Sequence, residues 1–299
     1  CVGRPVFCAP NLALGGYLGS AYAPVFVGSA NNHPAMENFT APKIYDLADT
    51  KRLTQRRKLL SSIESNKLAK DALGQDWSDL REKAYDAMTR PEGREAFNLK
   101  REPVKVRERY GMHPLGQNLL LARRMVEAGV RFVTVNGWAG QADHDKKGPP
   151  SSSWDMHGGN MGMGNAFGNG SYGMGFCLPR LDQALSGLFT DLKERGMMDN
   201  TLVVVTGEFG RTPKVLTQKP PGRQHWPKCF SSILAGCGIA GGHVYGKSDK
   251  YGASVTSNPV RPEELAATIY HALDIPLDEP QNNSARPITT GKPVLELFG

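Results

Sequence analysis

One short segment, TLVVVTGEFGRT at residues 201–212, sets the strongest limit on the architecture of the chain. Residues 202–205 form an apolar, β-branched run, and a run without polar alternation is typical of a central parallel strand buried on both faces. The run stops at the sequence GEFG around Glu208. In open α/β sheets ligands bind at the carboxyl ends of the strands, so Glu208 is a candidate functional residue. A strand-end cap, or an ion pair of Glu208 with Arg211, explains the same pattern equally well.

Helix and strand patterns alternate on both sides of this segment. A helix ended by a glycine and followed directly by a strand is one unit of a parallel sheet, and residues 115–136 have that pattern. Pro179 is expected in the first turn of the clearest helix, which ends at Gly196. The predicted elements are helices from 51 to about 68, at 78–89, at 115–128, at 179–195 and from 262, and strands at 131–136, 202–205 and 230–235.

The length and composition are those of a globular chain with long loops. The chain has 299 residues with 39% hydrophobic and 22% charged residues, which suffices for one large α/β domain. We predict a single domain over residues 1–299, with an irregular covering segment at 1–48, a helical insertion at 49–110, and the core sheet and site loops at 111–299. The loop at 137–175 is long enough to be functional.

Charge and cysteine usage exclude several function classes. The net charge of +7 is spread along the sequence, whereas a nucleic-acid-binding protein needs a concentrated basic stripe and a recognisable module. The five cysteines form no CxxC pair, which argues against a structural zinc site of the usual spacing. No apolar stretch reaches the roughly 20 residues of a membrane-spanning helix. The sequence also contains no P-loop and no GxSxG nucleophile motif.

The candidate chemistry is concentrated on loops expected at one edge of the sheet. Asp155 and His157 are two residues apart, so in an extended segment both side chains leave the same side of the chain. A carboxylate and an imidazole on one side are a usual beginning of a site for zinc or another divalent metal. His225 and Glu208 lie on later loops at the same expected edge and could complete the ligand set.

Two arginines, Arg211 and Arg223, lie close to these residues in the sequence and could neutralise a phosphate or a sulfate. Other interpretations stay open at this point. Hydrogen bonding within a loop explains an Asp-x-His sequence such as that of Asp155 and His157, and His225 could be a packed loop histidine.

Four motifs taken together resemble a bacterial sulfatase-like family that is known only as domain of unknown function 1501. They are WDMHG at 154–158, LPRLDQALSGLFTDLKERGMMDNTLVVVTGEFGRTPK at 178–214, GRQHWP at 222–227 and AGCGIAGGHVYG at 235–246. The stretches at 110–135 and 258–275 are similar to the family as well. The family in turn resembles the alkaline phosphatase and sulfatase superfamily.

This resemblance implies a doubly wound, mostly parallel sheet with helices on both faces and a hydrolytic metal centre at the strand ends. It implies Asp155, His157 and His225 as ligands of a divalent metal, zinc or calcium. Glu208 would be a further ligand or a general base, and Arg211 an anion clamp. In the superfamily an Asp-His pair holds a second metal where this chain has Glu208 and Phe209, and a phenyl ring cannot coordinate.

The resemblance therefore implies a metal-dependent hydrolase of sulfate or phosphate esters, acting on an anionic small molecule or glycan. The alternative is a sulfatase-like protein without catalytic activity that binds an anionic glycan or a protein partner. Nothing in residues 1–48 matches the nucleophile motif of the superfamily, so we expect the amino-terminal part of the fold to be missing from this chain. The resemblance also implies export of the full-length parent to the periplasm or the exterior.

Overall fold

The computed structural model describes residues 23–29, 31–42, 50–64, 91–140, 154–158, 174–217, 219, 221–278 and 289–299. The chain forms two compact units. The first comprises Cys1–Trp154 and Asn169–Leu188, and the second comprises Asp155–Gly168 and Phe189–Gly299. The predicted helix at 78–89 and most of the segments 1–48 and 137–175 lie outside the described residues.

The described helices confirm the main helical predictions. They are α1 (Thr50–Glu64), α2 (Pro91–Ala96), α3 (Val104–Tyr110), α4 (Pro114–Glu127), α5 (Met174–Glu194) and α6 (Pro262–Ala272), with short 3-10 turns at Leu99–Arg101, Met198–Asn200 and Leu295–Leu297. Among these residues, no helix combines the length and the apolar character needed to cross a bilayer.

The described strands are short and pair two by two. They are β1 (Val203–Val205), β2 (Gly210–Arg211), β3 (His225–Trp226), β4 (Ile233–Ala235), β5 (Lys247–Ser248) and β6 (Val255–Ser257). The antiparallel pairs are β1 with β4, β2 with β3, and β5 with β6.

Helix α4 supplies much of the core of the first unit. Its buried apolar side chains are Leu115, Leu120, Leu121, Ala122 and Met125. Helix α4 is also tied to α3 by the buried side chain of Gln117. The Gln117 amide donates to the carbonyls of Arg107, at 2.9 Å, and Gly111, at 3.0 Å, and its oxygen accepts from Arg107 Nε at 3.0 Å. These bonds satisfy a buried amide and hold the corner between the two helices.

In the second unit the carboxyl-terminal segment packs along α6. The backbone N–H of Val294 donates to Thr268 Oγ1 at 3.0 Å, and Thr268 is fully buried on α6. Further along, the N–H of Ala240 donates to the carbonyl of Leu297 at 2.8 Å. Hydrogen bonds to Thr268 and Ala240 therefore fix this segment.

Two local predictions were wrong. Pro179 lies inside α5 rather than in its first turn, because the helix begins five residues earlier, at Met174. Residues 131–136 contain one bridge residue, Val135, and no strand. The strand predicted at 202–205 is confirmed as β1, but its neighbour β4 runs antiparallel to it. The doubly wound parallel sheet stays a prediction.

Candidate functional site

The candidate site is built on the short β2–β3 pair of the second unit. The register of this pair places Arg211 opposite His225 and Gly210 opposite Trp226. The backbone N–H of Thr212 donates to the carbonyl of Gln224 at 2.9 Å and continues the pairing by one residue. Arg211 and His225 are thereby held side by side although 13 residues separate them in the sequence.

The WDMHG segment lies against the residues that precede β3. The backbone N–H of Arg223 donates to the carbonyl of Met156 at 2.7 Å. A Cβ atom at Gly222 would lie 1.8 Å from the carbonyl oxygen of His157. Gly222 is therefore required for the close approach of these two backbone segments, and this approach brings His157 to β3.

Asp155 orients the His157 side chain. Its Oδ1 atom lies 2.7 Å from His157 Nδ1 and accepts the backbone N–H of His157 at 2.9 Å. The Asp155 and His157 side chains are only 11% and 16% exposed, so water screens this contact little. A carboxylate only accepts hydrogen bonds, so in the neutral imidazole Nδ1 carries the proton and Nε2 carries a lone pair.

This Nε2 atom of His157 is the point at which the site converges. His225 Nε2 lies 2.9 Å from it, and the two ring centroids are 4.8 Å apart. Arg211 Nη1 lies 3.3 Å from the same nitrogen. Two groups from the β2–β3 pair, His225 and Arg211, therefore face the lone pair that Asp155 leaves free.

The guanidinium groups are fixed by backbone carbonyls. Arg211 Nη1 donates to the carbonyl of Arg223 at 3.4 Å, and Arg223 Nε donates to the carbonyl of Thr212 at 2.6 Å. Neither contact involves a carboxylate, so both positive charges remain uncompensated by these bonds. The local charge therefore favours an anion beside His157.

Phe209 covers one side of the His225 ring. The two ring centroids are 4.2 Å apart at an interplanar angle of 40°. The phenyl ring thus limits the rotation of His225, which is otherwise exposed. Sequence reasoning gave Phe209 no such role, because ring packing between residues 16 apart leaves no local signal.

Of the predicted site residues, the structure brings together Asp155, His157, His225 and Arg211. It does not bring Glu208 to them, since this side chain is exposed and makes no hydrogen bond or ion pair within the described residues. Gly222 also escaped prediction as a functional position, although its place in the GRQHWP motif was a signal.

The arrangement of the three predicted ligands is a chain of contacts rather than a shell around one point. Asp155 contacts Nδ1 of His157, whereas His225 contacts Nε2 on the opposite side of that ring. Within the described residues no group of three His, Cys, Asp or Glu side chains forms a ready metal site. The pair that could share a metal is His157 and His225, through their Nε2 atoms.

The sequence matches the model of the family described as "Protein of unknown function (DUF1501)" over residues 8–298. No curated protein and no solved structure matches it. The match spans nearly the whole chain and confirms the resemblance to that family, while the relation to alkaline phosphatases and sulfatases stays a prediction. The chain belongs to the DUF1501 family.

Proposed function

We propose that this chain is a metal-dependent hydrolase of sulfate or phosphate esters. The observation that carries the proposal is the 2.9 Å separation of the Nε2 atoms of His157 and His225, with Asp155 on the far nitrogen of His157. Two imidazole nitrogens bound to one tetrahedral metal at about 2.0–2.1 Å are roughly 3.3 Å apart, so this pair needs to open by only a few tenths of an ångström to share a metal. A carboxylate on the outer nitrogen is the usual partner of a metal-bound histidine.

The donor set favours zinc over calcium. Two imidazole nitrogens suit zinc, whereas calcium requires six to eight oxygen ligands. The sequence suggested Asp155 as a direct metal ligand. In this proposal Asp155 does not bind the metal, because its Oδ1 atom contacts Nδ1 of His157, on the side of the ring away from Nε2. Glu208 stays part of the proposal as a further ligand or as a general base. For either role a loop shift would have to bring its exposed carboxylate to the site.

Each residue then has a defined task. His157 and His225 hold the metal, Asp155 fixes the tautomer and orientation of His157, and Arg211 neutralises the ester anion beside the same nitrogen. Phe209 keeps the His225 ring in place. A divalent metal bound there would polarise the ester oxygen and stabilise the developing negative charge.

Zinc titration of the purified chain tests the ligand assignment. We expect His157→Ala and His225→Ala each to lower zinc affinity by about 100-fold or more, whereas His243→Ala, which removes an exposed histidine, leaves it unchanged. Hydrolysis of aryl sulfates and of phosphate mono- and diesters should then require the metal and both histidines. Zinc affinity that survives both substitutions would remove the basis of the proposal.

A second candidate is a sulfatase-like protein that binds anionic ligands without hydrolysing them. The contact of Phe209 with His225 favours it, because a phenyl ring occupies the place beside the site where another ligand could stand. Zinc binding that depends on His157 and His225, combined with no turnover of any of these esters, would support this candidate over the hydrolase.

A further inference from the structure

A rigid hairpin loop in the second unit, residues 249–254 between β5 and β6, displays an exposed aromatic ring. Asp249 closes the loop. Its Oδ1 atom accepts the N–H groups of Tyr251 and Ala253, both at 2.9 Å, and its Oδ2 atom accepts the N–H of Ser254 at 3.1 Å. These donors, that of Ala253 most strongly, lower the pKa of Asp249. The loop conformation is therefore fixed by three hydrogen bonds to one carboxylate.

At the tip of this loop Tyr251 is 70% exposed, although the backbone around it is held in place. Lys250 Nζ lies 4.9 Å from the centroid of the Tyr251 ring. A rigidly supported aromatic ring in water contributes nothing to a core, and with an ammonium group beside it the pair offers both a flat apolar surface and a positive charge.

A second pair of the same kind lies next to the loop. Trp226 Nε1 donates to the carbonyl of Ala253 at 2.7 Å, and Lys228 Nζ lies 5.4 Å from the centroid of the Trp226 ring. Ala253 is two residues from Tyr251, a distance of at most about 7 Å along the chain. The Trp226–Lys228 pair therefore lies against the loop that carries the Lys250–Tyr251 pair. We call these four residues, Trp226, Lys228, Lys250 and Tyr251, the aromatic–ammonium surface.

This surface is separate from the candidate site. Trp226 and His225 are consecutive residues of β3, and consecutive side chains of a strand point to opposite faces. His225 faces His157, so Trp226 and the hairpin loop lie on the other face of the strand. Neither lysine of the surface is part of the His157 cluster, so a ligand could bind at this surface whether or not the chain hydrolyses esters.

We infer that the aromatic–ammonium surface binds an acidic polysaccharide, with a sugar ring lying on the exposed Tyr251 ring beside the half-buried Trp226 and the acidic groups at Lys228 and Lys250. Charge complementarity and the alternation of rings with ammonium groups carry this inference. A polymer is favoured over a single sugar because a second ring–ammonium pair lies against the loop that carries the first, held there by the hydrogen bond from Trp226 to Ala253. The fixed loop keeps the ordering cost of binding low.

Calorimetry with the metal-free chain tests the inference. Dextran sulfate is the first probe, and unsulfated dextran of the same length is the second. We expect Tyr251→Ala to weaken dextran sulfate binding about tenfold, and Lys228→Gln with Lys250→Gln to weaken it further and reduce its salt dependence. Unsulfated dextran should bind weakly to the parent chain.

Matched controls separate this surface from general attraction to a chain of net charge +7. Lys193→Gln removes one exposed positive charge elsewhere in the same unit, and Phe132→Ala removes an aromatic ring that is 76% exposed. Both should leave the affinity unchanged. Equal affinity of the parent and Tyr251→Ala, an equal loss in Lys193→Gln, or tighter binding of a single-stranded DNA oligomer than of dextran sulfate would each overturn the inference.

Discussion

The hydrogen bonds of His157 determine what the candidate site can bind. Its Nδ1 atom contacts Asp155, so the atom that faces His225 and Arg211 is Nε2, which carries a lone pair in the neutral tautomer that Asp155 selects. A lone pair between a second imidazole and a guanidinium suits either a metal or a donor from a ligand. In the proposed site the Asp155 carboxylate therefore orients His157 without touching the ligand itself.

Asp155→Asn tests this indirect role. The amide keeps the shape of the side chain but loses the charge that fixes the His157 tautomer, so we expect zinc affinity to fall by about 10- to 100-fold. His157→Ala should cost more than Asp155→Asn, because it removes one of the two nitrogens that we propose to bind the metal. Equal losses in both variants, measured by competition with a zinc-binding dye, would instead make Asp155 a direct ligand.

Gly222→Ala tests the backbone approach that brings His157 to β3. The added methyl group would lie 1.8 Å from the His157 carbonyl oxygen and 2.6 Å from the Gly158 nitrogen, and backbone atoms cannot move aside cheaply. We expect unfolding free energy to fall by about 1–3 kcal/mol and zinc affinity to fall with it. Gly241→Ala is the matched control, because its Cβ would meet no atom within 4 Å.

Sequence reasoning at this scale found groups that lie close together in the chain. The two-residue spacing of Asp155 and His157 was sufficient to predict a shared role, and their contact is present. The contact of His157 with His225 joins residues 68 apart in the sequence. The sequence predicted only that both residues lie at one edge of the sheet, not that they touch. Glu208 was placed by the same argument, but its exposed side chain makes no contact with this cluster within the described residues, because the position of a loop after a strand depends on packing that no local pattern encodes.

At the scale of elements, helices were predictable and strand pairing was not. The apolar stripe of α5 and its end near Gly196 follow from a 3.6-residue period, and the buried residues Ala184, Leu188 and Leu192 confirm it. Strands β2 and β3 have two residues each, which is too short for any alternation to be visible. The site depends on these two strands, so its frame could not be read from the sequence.

The 3.6-residue period predicts that Leu115, Leu119, Ala122 and Val126 form the buried face of α4, and the structure confirms only part of this face. Leu115 and Ala122 are buried as expected, but Leu120 and Leu121 are fully buried on positions outside the predicted stripe. Helix α4 is covered on most of its circumference, and periodicity identifies a helix face only when another face is in water.

Helix α5 also contains a glycine, Gly187, that lies close to the backbone of Arg109 and Tyr110. A Cβ at Gly187 would lie 2.9 Å from Tyr110 Cα and 3.0 Å from the Arg109 carbonyl oxygen. Alanine has the higher helix propensity by about 1 kcal/mol, yet overpacking against backbone should make Gly187→Ala less stable by about 1–2 kcal/mol net. Guanidinium unfolding measures this change.

The matched control for Gly187→Ala is Asp182→Ala on the exposed side of the same helix. Its unfolding free energy should stay within about 0.5 kcal/mol of the parent value. A Gly187→Ala variant more stable than the parent would show that Tyr110 does not approach the helix as closely as described.

At the scale of the whole molecule, the sequence predicted one domain, whereas the contacts divide the chain into two compact units. The division crosses from one unit to the other between residues 154 and 155, between 168 and 169, and between 188 and 189 within α5. Composition shows no change at these points, so sequence reasoning had no signal for them. The organisation of 1–299 as one α/β domain stays a prediction.

Buried titratable groups of the first unit link stability to pH. Burial raises the pKa of Glu102, but hydrogen bonds from Arg123 and Arg124 outweigh it, so the pKa lies below its ordinary value. Arg123 Nη2 is 2.8 Å from Glu102 Oε1, with the Arg123 side chain fully buried. This contribution to stability is present at neutral pH and is lost only as the pH falls below about 4.5.

The buried imidazoles act at higher pH, which allows a separate test. Burial, aided by the charge of Arg180, lowers the pKa of His113 to about 4, and burial also lowers that of His33. The unfolded chain takes up these protons below about pH 6.5 while the folded chain does not, so stability is full above that pH and decreases toward pH 4.

His113→Asn isolates the His113 contribution, because asparagine can still accept the N–H of Gly116 that His113 Nδ1 accepts at 3.2 Å at the start of α4. We expect the guanidinium concentration at the unfolding midpoint of the parent to decrease as the pH is lowered from 7.5 to 5, a range in which Glu102 stays ionised. The decrease should be smaller in His113→Asn. Loss of the exposed His243 by the same substitution should leave the slope unchanged. A parent and a His113→Asn variant with identical slopes would mean that His113 titrates alike in the folded and unfolded chains, and its burial would then not account for the pH dependence.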